Sequence, residues 1–276
     1  MLGTAFTRLL LASDRTIISP TLAQLDIASE QSVAAYAKSL PACAAVINCA
    51  AWTDVDGAET HEAKATEVNG AAMNYLLALA AKVDAPLISY GTDYVFKGTS
   101  AAPYTINEPL APLNAYGRSK AVGERALIGA ANGNWLHMRT SWLYAPWGKN
   151  FVKTIASLVQ TKPSLKVVAD QRGRPTSAEH LAHGTMRLLA LGARGVWHVT
   201  DGGECTWHEF ASEIARITKA SGKQACDVLP CTTDEFPRPA KRPAYSVLDI
   251  TATSKALGEE PAHWKQHLAD VMPRMA

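Results

Sequence analysis

The 276-residue sequence lacks most of the marks that would set it apart from an ordinary enzyme. Its five cysteines, Cys43, Cys49, Cys205, Cys226 and Cys231, are odd in number and include no C-x-x-C pair. That excludes a disulfide framework and a zinc ribbon, and it fits a reducing, cytoplasmic setting. No block of one charge sign stands out: 27 Lys and Arg offset 25 Asp and Glu for a formal net charge of +2. Neither nucleic acid nor a membrane surface is therefore an expected partner. No uninterrupted apolar run reaches the length of a bilayer span. The opening stretch from Met1 to Ala12 is apolar, but it has no basic leader and Arg8 interrupts it, so it reads as an amphipathic helix instead of a signal peptide. Repeats and low-complexity segments are also missing.

What is present is enough apolar material, 47% of residues, for one large core or a main α/β domain with a smaller companion. Short β-branched or apolar runs at Thr16 to Ser19, Ala44 to Cys49, Pro86 to Tyr90 and Trp135 to Arg139 predict strands. Between them, Glu30 to Lys38, His61 to Val83 and Tyr116 to Ile128 carry apolar residues at helical spacing. This alternation predicts an α/β fold with a doubly wound parallel sheet over residues 1–150. Residues 151–276 read as a smaller, mixed α/β lobe for substrate, some of whose elements return to the first domain. Its helices are expected at Phe151 to Val159, Ala178 to Leu191 and Trp207 to Ala220, and the proline-rich stretch from Leu229 to Pro243 as an ordered loop.

A Rossmann-like sheet opens on a strand and a glycine-rich turn that leads into a helix holding the cofactor pyrophosphate. Here Met1-Leu2-Gly3 resembles only the end of such a turn, with Gly3 as its last glycine. The reading is that the first strand is missing and the natural chain starts upstream of Met1; the alternative is that Gly3 is merely a glycine near the terminus. Downstream order favours a dinucleotide site. Asp26 is placed to accept from the adenine amino group, and Ser19 stands where an acidic residue would bind the ribose of NAD. Without that carboxylate a 2′-phosphate is tolerated, so NADPH is expected, with NADH still open.

The chemistry is read from Tyr116-Gly117-Arg118-Ser119-Lys120, where Y-x-x-x-K spacing puts a phenol and an ammonium on one helix face. A neighbouring cation is expected to lower the phenol pKa and fit Tyr116 to deliver a proton to a carbonyl oxygen. Alone, this spacing is usually an ordinary surface pair. The strand pattern from Pro86 to Tyr90 changes that, because it runs into Gly91-Thr92-Asp93-Tyr94 and delivers a hydroxyl and a carboxylate at the end of a strand, where open sheets bind ligands. A turn capped by Thr92 and Asp93 is the plainer alternative.

With these motifs, together with Asn48 to Asp56, Arg139 to Trp142, Asp170 to Thr176 and Arg242 to Ser246, the chain resembles the extended short-chain dehydrogenase/reductase family, within it the dTDP-4-keto sugar reductases, nearly end to end. The resemblance implies reduction of the 4-keto group of dTDP-4-dehydro-6-deoxy-L-mannose by NADPH or NADH. Tyr116 would then be the proton donor, Lys120 its partner and the anchor of the nicotinamide ribose, and Thr92 a donor to the keto oxygen. Asp93 and Trp142 would contact the sugar, while Gly3, Asp26, Ile27, Ala50, Ala51, Trp52 and Thr53 would line the cofactor. Arg174 and Arg242 suit a diphosphate but are equally readable as salt-bridge partners. Mg2+ and a homodimer are compatible with the resemblance alone, and no metal ligands are assigned.

Two other readings compete. A dehydratase or epimerase would share Tyr116 and Lys120, but the dehydratase pattern has a glutamate after Thr-Asp where this chain has Tyr94, a weaker base. A non-catalytic nucleotide-binding subunit would be consistent with the missing first strand. The pairs His180 with His183 and His263 with His267 share helix faces without a third ligand, so they read as solvated or core histidines. Glu59, Glu62 and Glu67 likewise read as a solvated acidic face.

Overall fold

The structure, a computed structural model, describes residues 1–275. Four parallel strands form the main sheet in the order Val46–Ile47, Leu87–Thr92, Trp135–Thr140 and Gly195–His198. Successive side chains of a strand face opposite ways, and the sequence supplies apolar residues for both faces. Leu87 and Trp135 pack with Ala72, Leu76 and Leu127. Ile88, Leu136 and Met138 pack with Leu2, Phe6 and Leu181 on the other face. Helices Ala72–Lys82 and Ala115–Ile128 thus cover one side, and Leu2–Leu11 with Ala178–Ala190 the other. No helix among the described residues is long and apolar enough to cross a membrane.

Residues after 150 contribute both to this sheet, through Gly195–His198, and to a separate core. There Val152, Ile155 and Val159 of helix Phe151–Thr161 meet Phe210 and Ile214 of helix Trp207–Ala220, with Trp264 and Leu268 of helix Trp264–Val271 completing the cluster.

Three expectations change. Thr16 to Ser19 is not a strand: the segment lies outside every ladder among the described residues, and Ile18 is 47% exposed. A β-branched run becomes a strand only where a neighbour accepts its backbone hydrogen bonds, and here it finds none. The long helix from His61 to Val83 is interrupted by a π-turn, Glu67–Ala71, a local widening that often marks functional positions. Finally, the loop beginning at Leu229 gives its first residues to a strand, Asp227–Cys231, paired parallel to Ser164–Val168. Pro230 is tolerated because the ladder has only two strands, which leaves an outer edge needing no donor.

Candidate active site

Thr92 ends the second strand of the sheet, and the chain turns at once into Asp93–Val95, so both side chains emerge at the carboxyl edge of the sheet. Thr92 and Asp93 are buried. The Thr92 hydroxyl donates to Asp93 Oδ1 at 3.0 Å and accepts from the Tyr94 N–H at 3.2 Å. The capped turn is therefore real, yet it does not exhaust Thr92, whose hydroxyl also favours the ionised form of the nearby Tyr116 phenol.

Helix Ala115–Ile128 delivers Tyr116 and Lys120 to this point, and its start is held from three sides. Asn114 caps it, accepting from the Gly117 N–H at 2.8 Å and donating to the Lys241 carbonyl at 2.8 Å. Glu59 accepts the Ala115 N–H at 2.8 Å. Glu62 grips the Arg118 guanidinium at 2.7 and 2.8 Å. Glu59 and Glu62 are thus clamps on the Tyr116 helix and not a bare acidic face; the pairing joins residues 56 apart in sequence, beyond the reach of local spacing. Gly117 lets the helix dock on the Tyr94 backbone, since a Cβ there would stand 2.2 Å from the Tyr94 carbonyl oxygen.

Burial, reinforced by the Asp93 carboxylate and opposed by the Thr92 hydroxyl, pushes the Tyr116 phenol up to about 12. This corrects the expectation that Lys120 lowers it. The Lys120 ammonium instead donates to the Tyr90 carbonyl at 2.6 Å, and burial brings it down to about 8 against the pull of Glu124. A protonated phenol at neutral pH is what a proton donor requires. Asp93 is raised to about 6 by burial, against hydrogen bonds from Ser246 and Thr92. The Tyr94 and Tyr116 rings meet edge to face, with centroids 5.9 Å apart and an interplanar angle of 77°.

Behind Lys120, Glu124 is fully buried and held by Arg139. The Arg139 Nε lies 3.0 and 3.1 Å from the two Glu124 oxygens. Although burial opposes ionisation, the His137 ring and the Arg139 guanidinium hold Glu124 down at about 2.

Asn69, inside the π-turn, is the positioning residue that sequence reasoning missed. Its amide oxygen accepts the Trp52 N–H at 2.9 Å, and its Nδ2 donates to the Trp52 carbonyl at 3.0 Å and to Ser119 Oγ at 2.9 Å. The Ser119 hydroxyl in turn donates to the Tyr116 carbonyl at 2.7 Å. One buried amide therefore ties the Trp52 loop to the Tyr116 helix. An Asn-Gly pair in the middle of a helical pattern, poor for helix propensity, was the available signal.

The remaining expected cofactor positions come from the N-terminal helix, the segment before helix Glu30–Ser39 and the loop that follows strand Val46–Ile47. Gly3 sits in the first turn of helix Leu2–Leu11, where a Cβ would meet Cys49 Cβ at 3.6 Å. Met1 provides no side-chain cap for the first N–H groups of the helix. Thr53 is exposed in the loop after strand Val46–Ile47. Asp26 Oδ1 accepts the Ala28 N–H at 3.0 Å, and Ile27 leans on the core beneath the sheet.

The two arginines separate. Arg242 is drawn to the Tyr116 end of the site, pairing with Asp56 and reaching Tyr94. Arg174 borders a cavity of about 280 Å3 with Gly202, Asp249, Glu260 and His263. Its Nε is buried without a partner among the described residues. Trp142 has a φ of 47° and stacks on Trp207 at a 3.5 Å centroid distance.

A family model described as the RmlD substrate binding domain matches residues 1–276. The chain belongs to this family. It is 40% identical over 233 residues to the dTDP-4-dehydrorhamnose reductase of Burkholderia thailandensis, covering 80% of this chain and 78% of that protein. The crystal structure of a dTDP-4-dehydrorhamnose reductase from Clostridium acetobutylicum matches with a TM-score of 0.92 at 36% identity, covering 99% of this chain and 95% of that one. The enzyme of that name from Bacillus anthracis, solved in complex with NADP, matches with a TM-score of 0.91 at 32% identity, covering 99% and 95%. These two solved structures share with this chain the α/β fold built on a parallel sheet.

Proposed function

We propose that the protein reduces the 4-keto group of dTDP-4-dehydrorhamnose to give dTDP-L-rhamnose, with NADPH as hydride source. The observation that carries the reading is the protonated Tyr116 phenol near the Thr92 hydroxyl at the carboxyl edge of the sheet. A keto oxygen placed between these groups receives hydrogen bonds from both. As hydride reaches the carbonyl carbon, negative charge grows on that oxygen, and Tyr116 transfers its proton there.

The cofactor fits the residues present. The uncapped start of helix Leu2–Leu11, with the small side chains Gly3, Ala50 and Ala51, suits a pyrophosphate. Trp52 and Thr53 would line the adjoining part, Asp26 the adenine end, and Lys120 the nicotinamide ribose. When bound, NADPH supplies the hydride. Asp93 and Trp142 are our candidates for contacts to the sugar. Arg242, fixed by Asp56, is better placed than Arg174 to meet the diphosphate. Residues 151–276 form the substrate lobe in this reading, apart from the elements that complete the main sheet.

NADPH absorbance followed with dTDP-4-keto-6-deoxymannose tests the reading. The parent should turn over, and Tyr116→Phe should lose at least about 100-fold in kcat, the scale of general acid catalysis. A parent that binds NADPH yet leaves the sugar unreduced would refute the reductase reading. Equal rates for parent and variant would remove Tyr116 from the proton-transfer step.

A further inference from the structure

The sequence offers two histidine pairs on helix faces, each short of a third ligand, and the fold regroups them. His180, in helix Ala178–Ala190, and His267, in helix Trp264–Val271, stack with ring centroids 4.8 Å apart and an interplanar angle of 15°. Both rings face Asp201, which follows strand Gly195–His198 and is fully buried. His180 Nδ1 is 2.6 Å and His267 Nε2 is 3.8 Å from the same carboxylate oxygen, Oδ1. The three donor atoms lie within 4.8 Å of one another. His183 is exposed on the same helix as His180, and His263 caps the last helix, so neither belongs to the group.

We propose that His180, Asp201 and His267 bind a divalent transition ion of the zinc class, a site separate from the reductase centre proposed above. Two imidazoles and a carboxylate are a borderline-soft donor set suited to Zn2+, with water completing the shell. Ligands at about 2.1 Å from a tetrahedral ion sit about 3.4 Å apart. His180 would have to withdraw from Asp201 and His267 to approach it, each by less than about 1 Å, while the two rings turn so that their nitrogens, within 4.8 Å of each other, close by up to about 1.4 Å. Both rings are partly exposed, with side-chain exposures of 18% and 24%, which gives the ion a way in and the rings room to turn. The carboxylate is already oriented: Oδ2 accepts the Ser177 N–H at 3.0 Å and the Tyr144 hydroxyl at 3.3 Å, leaving Oδ1 to the imidazoles. Hydrogen bonds of this kind behind a ligand fix its direction and strengthen its hold on the ion. A bound ion would join helix Trp264–Val271 to helix Ala178–Ala190 and stabilise the folded state by mass action.

Titration of the full chain with Zn2+ alone, against a chromophoric chelator and by thermal unfolding, tests the site. One equivalent should bind and raise Tm. His267→Gln and His180→Gln should each weaken binding at least about 100-fold, and Tyr144→Phe about 10-fold, while His183→Gln should leave it unchanged. Co2+ in place of Zn2+ should give visible absorption without a thiolate charge-transfer band. The proposal is overturned if no Zn2+ binds, if binding survives both histidine substitutions, or if the cobalt spectrum carries thiolate character. Because both variants lie away from Tyr116, they should retain parent activity, which separates failure of this site from failure of the reductase reading.

Discussion

Replacing Asp93 with asparagine should change stability with pH in a way that reports its burial directly. Asp93 has a folded pKa of about 6, raised by burial from an ordinary value of 3.8. A carboxyl raised on folding binds protons more tightly in the native state, so stability falls as pH rises from about 4 to about 6 and levels off above that. The full difference corresponds to about 3 kcal/mol against the folded state at neutral pH. The asparagine amide would carry no such cost, but its N–H2 would sit unpaired where Asp93 Oδ2 already lacks a partner among the described residues, at about 1–3 kcal/mol. That second cost does not vary with pH, and the slope isolates the first. Between pH 5 and pH 8 the stability of Asp93→Asn should gain on the parent by about 1.4 kcal/mol, nearly all of it below pH 7. Urea unfolding of both proteins across this range measures it. A difference that stays flat, or grows in favour of the parent as pH rises, would refute a carboxylate penalised by burial at the site.

Asn69→Ala should leave the Trp52 backbone groups without their partner and cost about 3 kcal/mol in urea unfolding, with NADPH affinity falling more than sugar affinity. Glu124→Gln strands a buried Arg139 and should cost about 3–5 kcal/mol. Because Glu124 holds the Lys120 pKa up against burial, which together leave it at about 8, removing that charge should lower it further, and the alkaline limb of kcat/KM in a folded Glu124→Gln protein should move to lower pH. Gly123→Ala would set a Cβ 2.1 Å from the Asn69 carbonyl oxygen. The Tyr116 helix must then shift, and kcat should drop at least about 10-fold, with loss of about 1–3 kcal/mol in stability.

The elements most legible in the sequence were those whose pattern is local. The apolar spacing of Tyr116 to Ile128 and Trp207 to Ala220, the buried run from Leu87, and Y-x-x-x-K in its setting all lie within one element or one turn. Thr16 to Ser19 failed because β-propensity specifies a strand only if a neighbour completes its ladder. What escaped was mostly long-range and polar. Glu59 and Glu62 read as solvated because their partners, Ala115 and Arg118, lie 56 residues downstream. His180 finds His267 and Asp201 only once three elements converge. The phenol pKa departs from expectation for a related reason: helical spacing brings Lys120 to the right face, but the tertiary fold decides that its ammonium turns to the Tyr90 carbonyl.

Asp56 illustrates what such distance means while the protein is being made. Its carboxylate holds the guanidiniums of Arg238 and Arg242, the first of them 182 residues further along the chain. At synthesis rates of about 5–20 residues per second, roughly 10 to 40 s pass between the appearance of the acid and of its first basic partner. For that interval the Tyr116 helix and its glutamate clamps can form, while the wall carrying Arg242 beside Tyr94 does not yet exist. A nascent chain can therefore own its proton donor well before it owns the arginines that pair with Asp56.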